Sequence, residues 1–208
     1  MSGSALLCMG KYLYDKGIVK KEILRIETGS GVKSVELYTM SGQVTSACVS
    51  MGKASLDAKK LPTALKEARL VDYPVKIGEK LWRITCVDMG NPHCVVFCQR
   101  VDGVDVPVVG PQFEHAEIFP ERINTEFIRV VNESTIKMRV WERGSGETMA
   151  CGSGACAAVV AAVAGGLCQK GRDITVKAAG GDLTVNYTDD GVTLTGDAKL
   201  VYEGVVEY

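Results

Sequence analysis

The chain has 208 residues, 46% of them apolar and 24% charged, and a net charge of −1. That balance fits one or two globular domains and gives no electrostatic basis for binding nucleic acid or an anionic membrane. The longest apolar run falls far short of the roughly 20 residues that span a bilayer, and Met1-Ser2-Gly3-Ser4 has no basic segment ahead of an apolar one, so no secretory signal is read there. Eight cysteines without an export signal point to free thiols and a cytoplasmic location. With no Cys-x-x-Cys and only His93 and His115 as histidines, their spacing makes no metal site.

Gly3 to Asp15 reads as a helix: Ala5, Leu6, Cys8, Met9, Tyr12 and Leu13 recur at helical spacing, and Gly17 ends it. Ile23–Thr28, Val32–Thr39 and Gln43–Val49 read as short strands between glycine turns. Residues 50–74 form a polar connector in which Asp57-Ala58-Lys59-Lys60 is a solvated charged face and Ala64–Arg69 a helical turn. Strands resume at Val75–Ile77, Leu81–Val87 and His93–Cys98, where Cys94 and Cys98 pack on one face. Val104–Val109 reads as a further strand and Gly110–Ile118 as a short helix. Asn124–Val130 and Thr135–Glu142 are strands, and Asp173–Lys177, Asp182–Tyr187, Val192–Thr195 and Lys199–Val206 complete the chain. Strands around a buried helix, without βαβ alternation, give an α+β class with helices enclosed by curved antiparallel-rich sheet.

The chain is organised around Glu142-Arg143-Gly144-Ser145-Gly146-Glu147-Thr148-Met149-Ala150-Cys151-Gly152-Ser153-Gly154 and the apolar run that follows to Ala164. A helix apolar on every face is a core helix. One that starts near Gly152 puts Cys151 at its N-terminus, where unpaired N–H groups favour an anion and lower a thiol pKa. The alternative is a small packed cysteine beside a turn. Glu147 reads as a helix-capping acid and Cys156 as core.

A shift of 149 positions lays Ser2-Gly3-Ser4 on Cys151-Gly152-Ser153, Gly17 on Gly166, Gly31 on Gly180 and Gly42 on Gly191. Both windows read as turn, apolar helix and three short strands, so the chain contains an internal repeat. The two helix N-termini then face each other across a cleft. The copies are unequal, because Cys151 follows about seventy residues of strand and Ser2 follows one residue. The expectation is a first domain, residues 1–74, that is incomplete, and a second, residues 75–208, whose final strand is free to return to the first.

Three motifs resemble the diaminopimelate epimerases, cofactor-independent amino-acid epimerases of lysine and peptidoglycan biosynthesis: the Glu142–Gly154 stretch, Gly90-Asn91-Pro92-His93-Cys94, and Arg122-Ile123-Asn124 ahead of a strand. The resemblance covers nearly the whole chain and all of the family except its N-terminal quarter. It implies two similar domains, each a curved set of strands around a central helix, with the active site between them. It also implies no cofactor, a diamino dicarboxylic acid as substrate and a homodimer. By the motif, Cys151 is one of two facing catalytic cysteines, and the position of the other holds Ser2. The family's Cys-Gly-Asn-x-x-x-Cys run stands here as Ser2-Gly3-Ser4-Ala5-Leu6-Leu7-Cys8. Glu142 and His93 are implied as catalytic neighbours, and Asn91, Asn124 and Arg143 as substrate ligands.

Inverting a stereocentre without a cofactor requires acid–base groups on both faces, each with a pKa near working pH. Thiols at helix N-termini suit this, and the N–H groups of Gly3, Ser4, Gly152 and Ser153 suit the substrate carboxylate. Ser2 is a poor general base, so a shortened, catalytically impaired relative is a second expectation. A cysteine-nucleophile hydrolase or transferase on the same scaffold is a third. A proline-racemase-type isomerase lacks the motifs.

Overall fold

A computed structural model describes residues 2–206. The fold is α+β. Helix α1 (Gly3–Asp15) leads into strands β1 (Ile23–Thr28), β2 (Gly31–Met40) and β3 (Gln43–Gly52). A connector carries the chain to β4 (Tyr73–Ile77), β5 (Lys80–Asp88) and β6 (Pro92–Phe97). Helix α2 (Val106–Glu114) precedes β7 (Asn124–Asn132), β8 (Thr135–Glu142) and β9 (Gly146–Thr148). Helix α3 (Gly152–Ala164) is followed by β10 (Asp173–Ala178), β11 (Gly181–Tyr187) and β12 (Val192–Gly196).

All strands join one twelve-stranded sheet in the order β1-β2-β3-β12-β11-β10-β8-β7-β6-β5-β4, with β9 paired to β8 alone. Every pairing is antiparallel except β6 with β7 and β8 with β10. The seam is β3 against β12, which joins the α1 unit to the α3 unit.

The repeat is visible in the strand registers. Leu24 pairs with Val35 between β1 and β2, and Ile174 with Val185 between β10 and β11. All four side chains are buried. The correspondence moves by one residue after the helices, so Gly31 matches Gly181, not Gly180. Thr28 opposite Gly31 and Ala178 opposite Gly181 mark the same hairpin turn.

Helix α3 has no polar face because it has no solvent face. Every residue from Gly152 to Ala162 is buried, enclosed by β5–β8 and β10–β12. Helix α1 is covered on one side only. Leu6, Leu7 and Gly10 face the core while Cys8, Met9 and Tyr12 are exposed. At Gly10 an added Cβ would stand 2.9 Å from Leu37 Cδ2, so the absent side chain lets α1 lie close on β2. A second core gathers under α2, where Trp82, Phe113 and Phe127 meet edge-to-face. Cys94 and Cys98 both pack on it, and Cys156 is fully buried in the first core.

Five expectations are corrected. Val104–Val109 is not a strand: α2 begins at Val106, with Pro107 in its first turn, where a missing N–H and a fixed φ suit a helix start. Val106 packs into the second core while Val108 is exposed, the burial of a helix face rather than of a ladder. Residues 199–206 form no strand, and Val201, Tyr202 and Val205 are exposed, because both edges of β12 are already taken by β3 and β11. Ala64–Arg69 makes no helical turn; a short 3-10 turn forms instead at Ala58–Lys60, where Asp57 accepts from the Lys59 N–H. The connector is also less polar in role than in composition: Ala58, Leu61 and Leu70 are buried in the second core. Glu147 caps no helix. It lies on β9 and pairs with Arg139 at 2.8 Å.

Among the described residues, no helix is long and apolar enough to cross a membrane.

Candidate active site

Ser2 and Cys151 occupy equivalent places. Each is an extended N-cap, with φ/ψ of −102°/117° and −131°/115°. Ser2 Oγ accepts from the Ala5 N–H at 3.3 Å, and Cys151 Sγ accepts from the Gly154 N–H at 3.4 Å. Both line one pocket of about 180 Å³. Gly3 and Ser4 line it from α1, Gly152 and Ser153 from α3, and Asn91, Glu142 and Ala150 close it. The first N–H groups of a helix have no partner inside the helix. Two helix N-termini therefore aim unpaired donors at one small volume, which suits a carboxylate.

Asn91 also borders a second pocket of about 380 Å³, whose lining includes Lys59, Lys60, Glu121 and Arg143. Asn91 donates through Nδ2 to Ser153 Oγ at 3.3 Å, which ties the turn before β6 to the first turn of α3. Arg143 is exposed and its Nη1 donates to the Glu121 carbonyl at 3.1 Å. The two pockets thus offer an anion site at the helix N-termini and a guanidinium site beyond Asn91.

Asn124 lies behind these pockets and does not line them. Its Oδ1 accepts from the Arg143 N–H at 2.9 Å and its Nδ2 donates to the Pro92 carbonyl at 2.7 Å. It holds together the two turns that carry Asn91 and Arg143. Glu142, half-buried at the pocket wall, accepts from Thr148 Oγ1 at 2.5 Å.

His93 is fully buried on β6 and does not line the pocket either. Its Nδ1 lies 2.7 Å from Glu126 Oε1, and both side chains are fully buried. Glu126 was not singled out in the sequence, although it had a signal: a carboxylate in Phe127-Ile128 company, two residues along a strand from Asn124. Charged side chains are almost never fully buried unless paired.

Glu114 was missed as well. This buried carboxylate accepts from Trp141 Nε1 at 2.6 Å and from the Gly144 N–H at 2.9 Å, with Arg122 Nη1 at 3.5 Å. Burial raises its proton affinity, but the donated hydrogen bonds outweigh burial and hold the carboxyl below its usual range. Glu114 therefore anchors the turn that bears Arg143.

The Cys151 thiol departs from the sequence expectation. Burial, and then the carboxylates of Glu126 and Glu142, push it up to about 12, against the smaller opposing effect of the Ser153 hydroxyl and the Gly154 N–H. The helix N-terminus alone does not make it a thiolate. At rest the pocket presents a thiol, a proton donor, beside the Ser2 hydroxyl.

A profile of the diaminopimelate epimerase family matches residues 85–201. Over 98% of its length the chain is 43% identical to the diaminopimelate epimerase of Desulfovibrio desulfuricans, of which it spans 73%. Over its full length it is 43% identical to that of Acetivibrio thermocellus, of which it spans 74%. In fold it is similar to a probable proline racemase from Agrobacterium radiobacter, with a TM-score of 0.71 at 14% identity, over 98% of this chain and 68% of that one.

Proposed function

The chain belongs to the diaminopimelate epimerase family, and on that premise we propose that it exchanges and inverts the α-hydrogen of diaminopimelate, converting the LL form to the meso form in lysine and peptidoglycan biosynthesis. The observation that carries this reading is the pairing of Ser2 and Cys151 as equivalent helix caps on one pocket. One face of a bound α-carbon then meets Cys151 and the other meets Ser2.

The substrate α-carboxylate binds the N–H groups of Gly3, Ser4, Gly152 and Ser153. When the α-proton leaves, its electron pair delocalises into that carboxylate, and preorganised donors stabilise the added charge where it develops. The distal amino-acid group reaches past Asn91 towards Arg143, whose fork matches a carboxylate. Asn124, which keeps an amide hydrogen and a lone pair free of the contacts described, orients both turns. Glu142 takes the substrate amine or relays a proton. The group at Ser2 takes the α-proton from one face while Cys151, a thiol at rest, delivers its proton to the other face of the carbanion; in the reverse direction the Cys151 thiolate takes the α-proton and the Ser2 hydroxyl returns one. The chemistry uses protein groups in place of a cofactor. The enzyme acts in the cytoplasm as a homodimer, which sedimentation tests. The domain boundary falls near residue 74, with β12 stitching the two units together.

A second reading is favoured by one residue. Ser2 supplies a hydroxyl where two-base inversion calls for a second group titrating near neutral pH. On that reading Cys151 exchanges the proton on one face and inversion is slow. Incubation with LL-diaminopimelate in deuterated water separates the two. Inversion with deuterium gain supports two-base inversion, and exchange without inversion supports a lone Cys151 base. Absence of both supports the shortened, catalytically impaired reading, and a Cys151→Ala variant that leaves a measurable activity unchanged would sink the catalytic assignment.

A further inference from the structure

The least explained group in the molecule is the His93–Glu126 pair. Buried ionisable pairs cost desolvation and persist only with good geometry and satisfied partners. Here the geometry is good, with Nδ1 and Oε1 2.7 Å apart, yet His93 Nε2 and Glu126 Oε2 have no partner among the described residues. Buried polar atoms left unpaired are uncommon, and such atoms mark places where function outweighs stability. Parallel strands create the contact: His93 stands opposite Asn124, and Glu126 follows two residues on along β7.

Glu126 also reaches the first turn of α3. An added Cβ on Gly154 would stand 2.6 Å from Glu126 Oε1 and 3.2 Å from Cys151 Cβ. Gly154 is thus the gap through which the carboxylate approaches the cap that bears Cys151. Any side chain there would separate the two. After burial, Glu126 is correspondingly the largest influence that disfavours the Cys151 thiolate.

We propose that Glu126 is a positioning residue of the inversion chemistry: its buried carboxylate fixes the His93 proton on Nδ1, leaves Nε2 as a bare acceptor, and holds Cys151 in its protonated form through the gap at Gly154. This rests on the family reading for the reaction, while the proton positions rest on the 2.7 Å His93–Glu126 contact and the gap at Gly154. A carboxylate accepting from one imidazole nitrogen fixes which nitrogen carries the proton. A negative charge close to a thiol disfavours its ionisation. The enzyme then begins its cycle with Cys151 as acid, and the substrate carboxylate enters a site whose thiol is still neutral.

Two readouts test this without substrate. The chain has two histidines, and His115 is exposed, so a His115→Gln background leaves His93 alone for ¹⁵N NMR. The expected spectrum has a slowly exchanging proton on Nδ1 and an unprotonated Nε2. A proton on Nε2 alone would overturn the proposal. Peptide-resolved alkylation with iodoacetamide then compares the parent with Glu126→Gln. Loss of the carboxylate is expected to raise the Cys151 rate about tenfold or more at neutral pH, since each pKa unit is a factor of ten in thiolate, while buried Cys156 stays unreactive. An unchanged Cys151 rate, or equal acceleration at Cys156, overturns it. With diaminopimelate the same variant is expected to lose kcat, by no more than the roughly 10²–10⁴-fold that a positioned acid–base group contributes, with KM nearly unchanged. If no variant or parent turns over diaminopimelate, the substrate assignment fails while the NMR and alkylation results still decide the role of Glu126.

Discussion

Gly3 and Gly152 meet at one methyl group. A Cβ built on either would stand 2.8 Å from the same atom, Leu194 Cδ2. The two helix N-termini that line the pocket are therefore set against each other through a fully buried leucine on β12. The spacing of the donors in the pocket depends on two absent side chains. Gly3→Ala and Gly152→Ala each force Leu194 or a helix to move, at a cost of about 1–3 kcal/mol, typical of overpacking. Because a Cβ on Gly152 would also stand 3.4 Å from the Ser4 backbone N, its variant is expected to lose α-proton exchange beyond the loss of stability. Urea denaturation and exchange in deuterated water measure the two effects. Leu194→Ala in the Gly152→Ala background is expected to recover exchange in part.

The matched caps predict a gain of function. Ser2→Cys places a thiol where α1 presents its cap, so both faces of the pocket carry an ionisable sulfur. Positioned acid–base groups contribute about 10²–10⁴-fold, and Ser2→Cys is expected to raise the inversion rate within that range. Chiral chromatography of the product resolves it. An unchanged inversion rate would mean that the Ser2 position does not face the substrate α-carbon.

The raised Cys151 thiol predicts a pH dependence of stability. A thiol in the unfolded chain ionises near 8.5, whereas in the folded chain Cys151 ionises at about 12. The unfolded state thus loses its proton first. The stability contributed by the neutral thiol is complete below about pH 8.5 and falls as pH rises towards 12. Cys151→Ala is expected to show a shallower alkaline decline than the parent in urea denaturation across that window. Parallel curves would contradict the buried, acid-flanked placement of the thiol.

Much of this site was legible because its signals are local. Cys151 and Gly152 could be placed at a helix start from a glycine turn followed by an all-apolar run, and Ser2 followed from the repeat. Asn91 and Arg143 came from motifs. What could not be read were the contacts made across strands. Glu126 meets His93 only because β6 and β7 run parallel, and no local pattern fixes that pairing. Glu114 lies in the Gly110–Ile118 segment read as a helix, but its partners Trp141 and Gly144 come from β8 and the turn beyond it. The thiol's protonation was misjudged for the same reason: the cap is local, whereas the burial and the carboxylates opposing it come from elsewhere in the chain. The one-residue slip in the repeat likewise appears only when Leu24 and Ile174 are compared by register.

Glu114 offers a test of how the turn at Arg143 is held. Its carboxylate accepts from Trp141 and from the Gly144 N–H, one residue beyond Arg143. Gly110 makes the arrangement possible, since a Cβ there would lie 2.4 Å from the Trp141 ring. Hydrogen bonds to a charged group contribute about 1.5–3 kcal/mol each, so Glu114→Gln is expected to cost on the order of 2–3 kcal/mol at pH 7. The folded carboxyl is held below its usual range. Its stabilisation is therefore present above about pH 4.3, the unfolded value, and is lost as pH falls through the lower folded value. The difference between parent and variant should shrink below pH 4. If Arg143 binds the distal carboxylate, loosening its turn weakens ground-state and transition-state binding alike, so KM rises while kcat changes little. A fall in kcat at constant KM would instead place Glu114 in control of Glu142, the other residue on that turn.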